Sequence, residues 1–481
     1  MRTNFITAFA LFSSFTATVH AADWPQWRGP NRDDHSPDKG LAKAWPASGP
    51  KRVWLFKDAG LGYSGVAVVG DTLFTMGLRG DTEFLIAVDA AAGKEKWATA
   101  MGPVLKNGWG DGPRGTPCVA GGKVYALSGT GFLLCASAAD GKELWKARMA
   151  EFGGKTPGWG YTESVLVDGD LVICTPGGAK GTLLALDKAS GKPVWQSAGW
   201  TDGAQYSSPV VATINGKRQY VQLTQQHVAG VEASSGKVLW RSDWQGKTAV
   251  IPTPIVKGNS VYIASGYGVG CKLVTIDAEN KASDVWVNTT MVNHHGGVIL
   301  VGEHLYGYSD KGGWTCQSLK TGEAAWVSKA LGKGAVHFVD GMLVCLEEGS
   351  GTVALVEVST EGWKEKGRFK LAPQTTQRNP KRACDSIAVV PSVDAPSATT
   401  HSKSRSVWFL SDSINRGRCA AALYVALSTL RVGRGWGCRS RAQLQRCLLQ
   451  ARSTAIGAGG LGTCVPNPGP EVCVFLIDGQ A

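Results

Sequence analysis

Charge is scarce in this chain of 481 residues. Asp, Glu, Lys and Arg together make up only 18% of it, and no apolar run of about 18 residues follows the first 25. The second absence excludes a membrane-spanning helix in the mature part of the chain. The 12 cysteines form no CxxC pair and show no metal-ligand spacing with histidine, which argues against a zinc module or a thioredoxin-like redox site. Glycine, in contrast, is abundant at 63 residues, as suits many short strands joined by tight turns.

What fills the space is a repeated phrase ending in tryptophan. AVDAAAGKEKW closes on Trp97, ASAADGKELW on Trp145, ALDKASGKPVW on Trp195 and GVEASSGKVLW on Trp240. Looser copies end at Trp286 and Trp326, and the successive intervals are 48, 50, 45, 46 and 40 residues. A period in that range belongs to propeller blades rather than to a single compact domain. Each phrase is an apolar strand that turns at a glycine and returns to the tryptophan. Seven further turn-strand units, from Gly70-Asp71-Thr72-Leu73-Phe74 to Gly341-Met342-Leu343-Val344, supply the other half of each blade. One large ring per blade is what stacking needs, so Trp97, Trp145, Trp195, Trp240, Trp286 and Trp326 read as structural docking residues.

The AxDxxTGxxxW phrase at these spacings resembles the quinoprotein (PQQ-like) β-propeller repeat. That family includes quinone-dependent alcohol dehydrogenases and the outer-membrane assembly lipoprotein BamB. The segment WPQWRGPNRDDHSP, Trp24 to Pro37, is further similar to secreted bacterial PQQ-binding-like propeller proteins. The resemblance implies an all-β propeller. Counting intervals from Trp54 to Phe369, at the place of the next docking residue after Trp326, gives an eight-bladed design of four-stranded antiparallel blades whose last blade is incomplete. A strand near Arg52-Val53-Trp54-Leu55-Phe56 would complete it, since pairing first and last strands protects their edges.

Both ends of the chain differ from the repeats. Residues 1–21 read as a cleaved signal peptide, with Arg2 before a mostly apolar core from Phe5 to Phe15 and small residues at Val19 and Ala21. No lipidation cysteine follows, so the expectation is a soluble periplasmic or secreted protein. The propeller would occupy 22–380, where six cysteines sit singly in apolar runs as small buried hydrophobes. Beyond residue 380 lysine gives way to arginine, with 2 Lys and 10 Arg, and 6 of the 12 cysteines crowd into the last 101 residues. The repeats stop in mid-blade. Residues 381–481 therefore read as an aberrant basic tail, poorly ordered, of the kind a shifted reading frame produces. Its arginines lie among cysteines and leucines with no basic helical face, which argues against nucleic-acid binding.

A site, if the ring has one, belongs where the innermost strands start around the central channel. Equivalent segments begin at Arg114, Tyr161, Tyr206, Ile251 and Asn293. Arg114, Glu163, Tyr206, His294 and His295 are the candidate pocket, with Asp111 and Trp159 projected toward its mouth by flanking glycines. Arg114 suits an anionic group, and His294 or His295 a base or metal ligand. The alternative is that Arg114 pairs with Glu163 and the histidines satisfy backbone groups at the rim. Adjacent histidines in a strand point to opposite faces, so no metal site is expected. No catalytic residue is assigned. The family resemblance implies two functions: a non-catalytic scaffold or module binding a protein or small molecule, or a dehydrogenase of alcohols or sugars using PQQ with calcium. The adjacent Cys-Cys pair of quinoprotein alcohol dehydrogenases is missing here, and so is a carboxylate and asparagine set for calcium.

Overall fold

The computed structural model describes residues 22–372 and short strands between 390 and 476. The expected signal peptide lies outside the described residues, as does most of the expected tail.

Alternating apolar strands separated by glycine turns produce antiparallel meanders throughout. The first sheet consists of Ala67–Val69, Thr72–Arg79, Thr82–Asp89 and Glu95–Pro103, paired in that order. Five more four-stranded sheets follow with the same sequential order, spanning 118–148, 166–196, 210–243, 255–288 and 298–328. The seventh, 334–370, gains a fifth strand where His35–Ser36 runs parallel to Gly334–Val339. The only helical turn among the described residues is the short 3₁₀ segment Met149–Phe152. The chain is thus an all-β propeller.

The cores lie between neighbouring sheets. Phe74 and Leu85 of the first sheet pack with Val124 and Leu134 of the second, and Val228 and Trp240 of the fourth with Val261 and Val274 of the fifth. In five of the six phrases the tryptophan indole N–H crosses the seam to a backbone carbonyl of the following sheet: Trp97 to Ala138, Trp145 to Lys188, Trp195 to Ala233, Trp286 to Leu319 and Trp326 to Ser359, at 2.8–3.2 Å. Trp240 departs from this pattern and donates to Gln219 Oε1 within its own sheet at 2.5 Å. The sequence carries the reason, since the next hairpin turns at Asn280 instead of the usual glycine.

That glycine matters because the ring lies flat upon it. A Cβ on Gly236, at φ +74°, would sit 2.6 Å from the Trp195 ring. Gly236→Ala should therefore destabilise the protein by more than about 1 kcal/mol, through positive φ and the displaced ring together, read as a lower thermal midpoint.

The strand Lys51–Phe56 belongs to none of the seven sheets. Its Val53, Trp54 and Phe56 pack against the first sheet and Leu55 against the seventh. Trp54 donates to the Ala90 carbonyl at 2.9 Å over Gly93, repeating the docking geometry of the other tryptophans. The strand pairs antiparallel with Val472–Leu476, with a register shift beside Trp54 like those beside the docking tryptophans. Phe369 meets Gly49, but lies two residues past the register position of the other docking rings, which Gly367 occupies opposite Leu355. The described residues thus give seven blade-like sheets, six of four strands and one of five, with Lys51–Phe56 in a separate two-stranded sheet, set against the expected eight blades.

Candidate functional site

The residues that start each sheet converge on the axis. Tyr63 and Gly65 precede the first sheet, Arg114 the second, Thr162 and Ser164 the third, Tyr206 and Ser208 the fourth, Ile251 to Thr253 the fifth and His294 to Gly297 the sixth. Together with Ala335, Val336 and His337 of the seventh they surround a cavity of about 250 Å³. Hydroxyls tie neighbouring starts together: the Thr116 N–H donates to Ser164 Oγ, and the Ser164 N–H to Ser208 Oγ, both at 2.9 Å. The register that repeats the blade core therefore also fixes the wall.

The floor comes from a different part of the chain. Residues 24–36 run across the ring as a strap and contribute Trp27, Arg28 and Asp34 to the cavity. Trp24 exchanges backbone hydrogen bonds with Val68, and the Pro25 carbonyl accepts from Val119. Trp27 Nε1 donates to Thr253, Arg28 to the Val298 carbonyl and Arg32 to the Ser164 carbonyl. His35 and Ser36 then join the seventh sheet, so the strap touches six of the seven. Arg28, Arg32 and Asp34 all take left-handed backbone conformations, φ 62°, 58° and 60°, which cost roughly 1–3 kcal/mol each in non-glycine residues and persist only where surrounding contacts enforce them. The sequence reading missed this floor. Its signal was visible in the density of Trp, Arg and Asp between Trp24 and Pro37, which belongs to no repeat.

The structure brings five of the seven expected site residues to the cavity: Arg114, Trp159, Tyr206, His294 and His295. The Arg114 guanidinium lies 4.6 Å over the Tyr63 ring and donates to the Gly110 carbonyl. Trp159 and Tyr206 meet edge to face at 5.6 Å, and the Trp159 N–H reaches the Tyr206 hydroxyl. Both histidines face inward, with ring centroids 4.5 Å apart. Strand alternation would have separated them, but the segment is not a strand, and Gly296 and Gly297 at positive φ turn it sharply there. Burial, reinforced by Lys333 at 2.9 Å, pushes His294 down to about 4; burial and His294 hold His295 well below its usual value. Both rings are neutral at pH 7.

Glu163 and Asp111 are placed elsewhere. Glu163 is fully enclosed behind the wall, because alternation turns it away from Thr162 and Ser164. It accepts the Thr175 N–H at 2.6 Å and Gln222 Nε2 at 3.4 Å, and desolvation raises its pKa to about 7. Asp111 accepts the Asn107 N–H at 2.7 Å, and Asn107 Oδ1 in turn accepts the Trp109 N–H. Asp111 thus braces the loop that presents Trp109.

The group implied by the family resemblance is PQQ with calcium. Calcium takes six to eight oxygen ligands. The cavity wall carries one carboxylate, Asp34, whose oxygen is ion-paired with Arg28 Nε; burial raises its pKa, but Arg28 and His337 outweigh that and hold it low. Among the described residues no three His, Cys, Asp or Glu are grouped to hold a metal ion. The residues present do not fit calcium.

Residues 81–328, more than half of the chain, match the model of the family described as outer membrane protein assembly factor BamB. The chain belongs to this family. The BamB family match and the propeller architecture bear out the quinoprotein-type repeat inferred from the tryptophan phrase. Solved structures share the fold at low identity. BamB from Moraxella catarrhalis is 16% identical with TM-score 0.50, over 74% of this chain and 93% of its own. Quinohemoprotein alcohol dehydrogenase from Comamonas testosteroni is 12% identical with TM-score 0.55, over 83% and 78%. Sqt1 from Saccharomyces cerevisiae is 11% identical with TM-score 0.50, over 76% and 96%. A search of curated proteins returned no match. No helix among the described residues is long and apolar enough to cross a membrane.

Proposed function

We propose that this BamB-family propeller is a non-catalytic binding module, exported to the periplasm or secreted, whose central cavity takes a small ligand. One observation carries the reading: the cavity is walled by aromatic rings and hydroxyls, while its charged groups are held by the protein itself, Arg114 by the Tyr63 ring and the Gly110 carbonyl. Arg28 is matched by Asp34, and Lys333 beside His294 is paired with Asp310 at 2.7 Å, while the two imidazoles are neutral. A general base needs a poised group facing an open position, and a dehydrogenase of the calcium-quinone type needs oxygen ligands that this wall does not offer.

At about 250 Å³ the cavity lies just below the 300–1,000 Å³ usual for drug-sized ligands, which favours a small molecule over a peptide. The membership and the shared fold are equally compatible with recruiting a protein through the outer rim, and a rim partner would leave the cavity free.

The test is a titration of the purified protein with PQQ and calcium, followed by a dye-linked assay of alcohol and sugar oxidation. The expected result is no turnover and no calcium-dependent binding. Turnover that requires both additions would replace this reading with the dehydrogenase.

A further inference from the structure

Among the described residues the large aromatic side chains that are exposed are Trp109, at 42%, and Tyr267, at 39%. Both lie at the central cavity, presented by the loop before the second sheet and by the turn after Ser260–Ser265 in the fifth. Neither is loosely held. The Trp109 N–H is fixed by Asn107, its carbonyl accepts the Tyr63 hydroxyl, and Asn107 Nδ2 donates to the Gly158 carbonyl of the neighbouring loop at 2.8 Å. Tyr267 is kept at φ 56°, a conformation that bulky residues avoid, with its ring edge-on to His294 at 4.6 Å. The protein therefore keeps two aromatic residues at the cavity mouth, Trp109 on a backbone anchored by hydrogen bonds and Tyr267 against backbone strain.

Beneath them the wall changes from rings to neutral hydrogen-bonding groups. The imidazoles of His294 and His295 each carry one N–H donor and one acceptor nitrogen when neutral. The hydroxyls of Thr162, Ser164, Ser208 and Thr253 add short polar arms. Each of these hydroxyls already holds one protein partner and keeps further hydrogen-bonding capacity toward the cavity, which a hydrocarbon would not use. A ligand with flat C–H faces and a rim of uncharged hydroxyls satisfies both layers.

We propose that the cavity mouth is a carbohydrate subsite, in which Trp109 and Tyr267 stack on the faces of a neutral pyranose and the imidazoles and hydroxyls below receive its hydroxyl groups. The inference rests on the cavity being the ligand site and adds the chemical class of the ligand. It also gives Asp111 a role as a positioning residue, acting through the Asn107 brace on the orientation of Trp109.

The experiment uses the full chain against a printed array of neutral glycans, with cellohexaose, maltohexaose and xylohexaose followed in solution by tryptophan fluorescence and calorimetry. Benzoate and trigalacturonate serve as comparison ligands. Saturable binding to a neutral glycan, weakened roughly tenfold or more by Trp109→Ala and by Tyr267→Ala, is expected. Both side chains are partly in solvent, so the variants should keep the parent thermal midpoint, and Trp109→Phe should restore part of the affinity. Binding of no neutral glycan overturns the proposal. In that case benzoate or trigalacturonate binding that depends on Trp109 leaves the cavity as a ligand site of another class, whereas absence of all binding removes the cavity reading as well. Glycan binding indifferent to both substitutions places the site elsewhere and also overturns the proposal.

Discussion

Trp145→Ala should lower the free energy of unfolding by about 3–5 kcal/mol, the range for removing a large buried ring whose surroundings relax only in part. The ring is 8% exposed and lies over Gly191, with its indole N–H on the Lys188 carbonyl at 3.1 Å, so the substitution opens a void in the seam between the second and third sheets. Denaturant unfolding at constant pH measures the loss. Trp54→Ala is the informative companion. It removes the same contact at the boundary between the first and seventh sheets, where Trp54 lies on Gly93. A comparable loss from both variants means that this boundary bears load like any other seam. A loss confined to Trp145→Ala means that the ring is open there.

The second large effect depends on pH. The Glu163 carboxyl is raised from 4.5 to about 7 by desolvation, which outweighs the hydrogen bonds from Thr175 and the attraction of the Arg32 guanidinium. A carboxyl with a raised folded-state pKa binds its proton more tightly when folded. Its favourable contribution is complete below pH 4.5 and is lost as pH rises through about 7. Each pKa unit is worth about 1.4 kcal/mol, so the loss at pH 8 is roughly 3 kcal/mol. Glu163→Gln removes the ionisation while its carbonyl oxygen keeps the Thr175 N–H. The variant should match or fall slightly below the parent near pH 4.5, because its new amide faces Gln222, and should exceed it at pH 8. Denaturation midpoints at the two values decide this; parallel pH profiles for parent and variant would refute it. Glu83 is raised to about 7 for the same reason, against the Leu105 and Gly129 N–H groups, so one substitution removes only its own share.

The sequence made the blade core legible because each blade solves the same packing problem with the same residues. The tryptophan at a constant offset from a glycine turn is a local pattern, and the ring beneath it is short-range chemistry. The cavity was legible only in part. Arg114, Tyr206 and His294 could be found from register, since blades begin at equivalent positions. The direction of Glu163 could not, because a single residue of alternation decides whether a side chain meets the channel or the space behind it. The two histidines failed the alternation rule for the opposite reason: the Gly296-Gly297 turn broke the strand that the rule assumes. Trp54 was legible as the start of the interval count, and its indole on the Ala90 carbonyl gives it the docking role of the later copies. Trp240 ends a good copy yet bonds differently, since its partner turn, and not its own phrase, lacks glycine.

The strap from Trp24 to Ser36 also bears on how the protein folds. Stacked repeats interact mainly with their neighbours, and such arrays can gain or lose units one at a time. Here Trp27 bonds to a residue 226 positions away and Arg28 to one 270 positions away, so the earliest part of the described chain completes its contacts only after the sixth sheet exists. Contacts of such long sequence separation slow folding, because chain closure must precede the contacts that reward it. Once made, they link distant sheets through a single segment. Unfolding of one blade then withdraws support from the floor that the others share, and the stack should melt as a single cooperative unit.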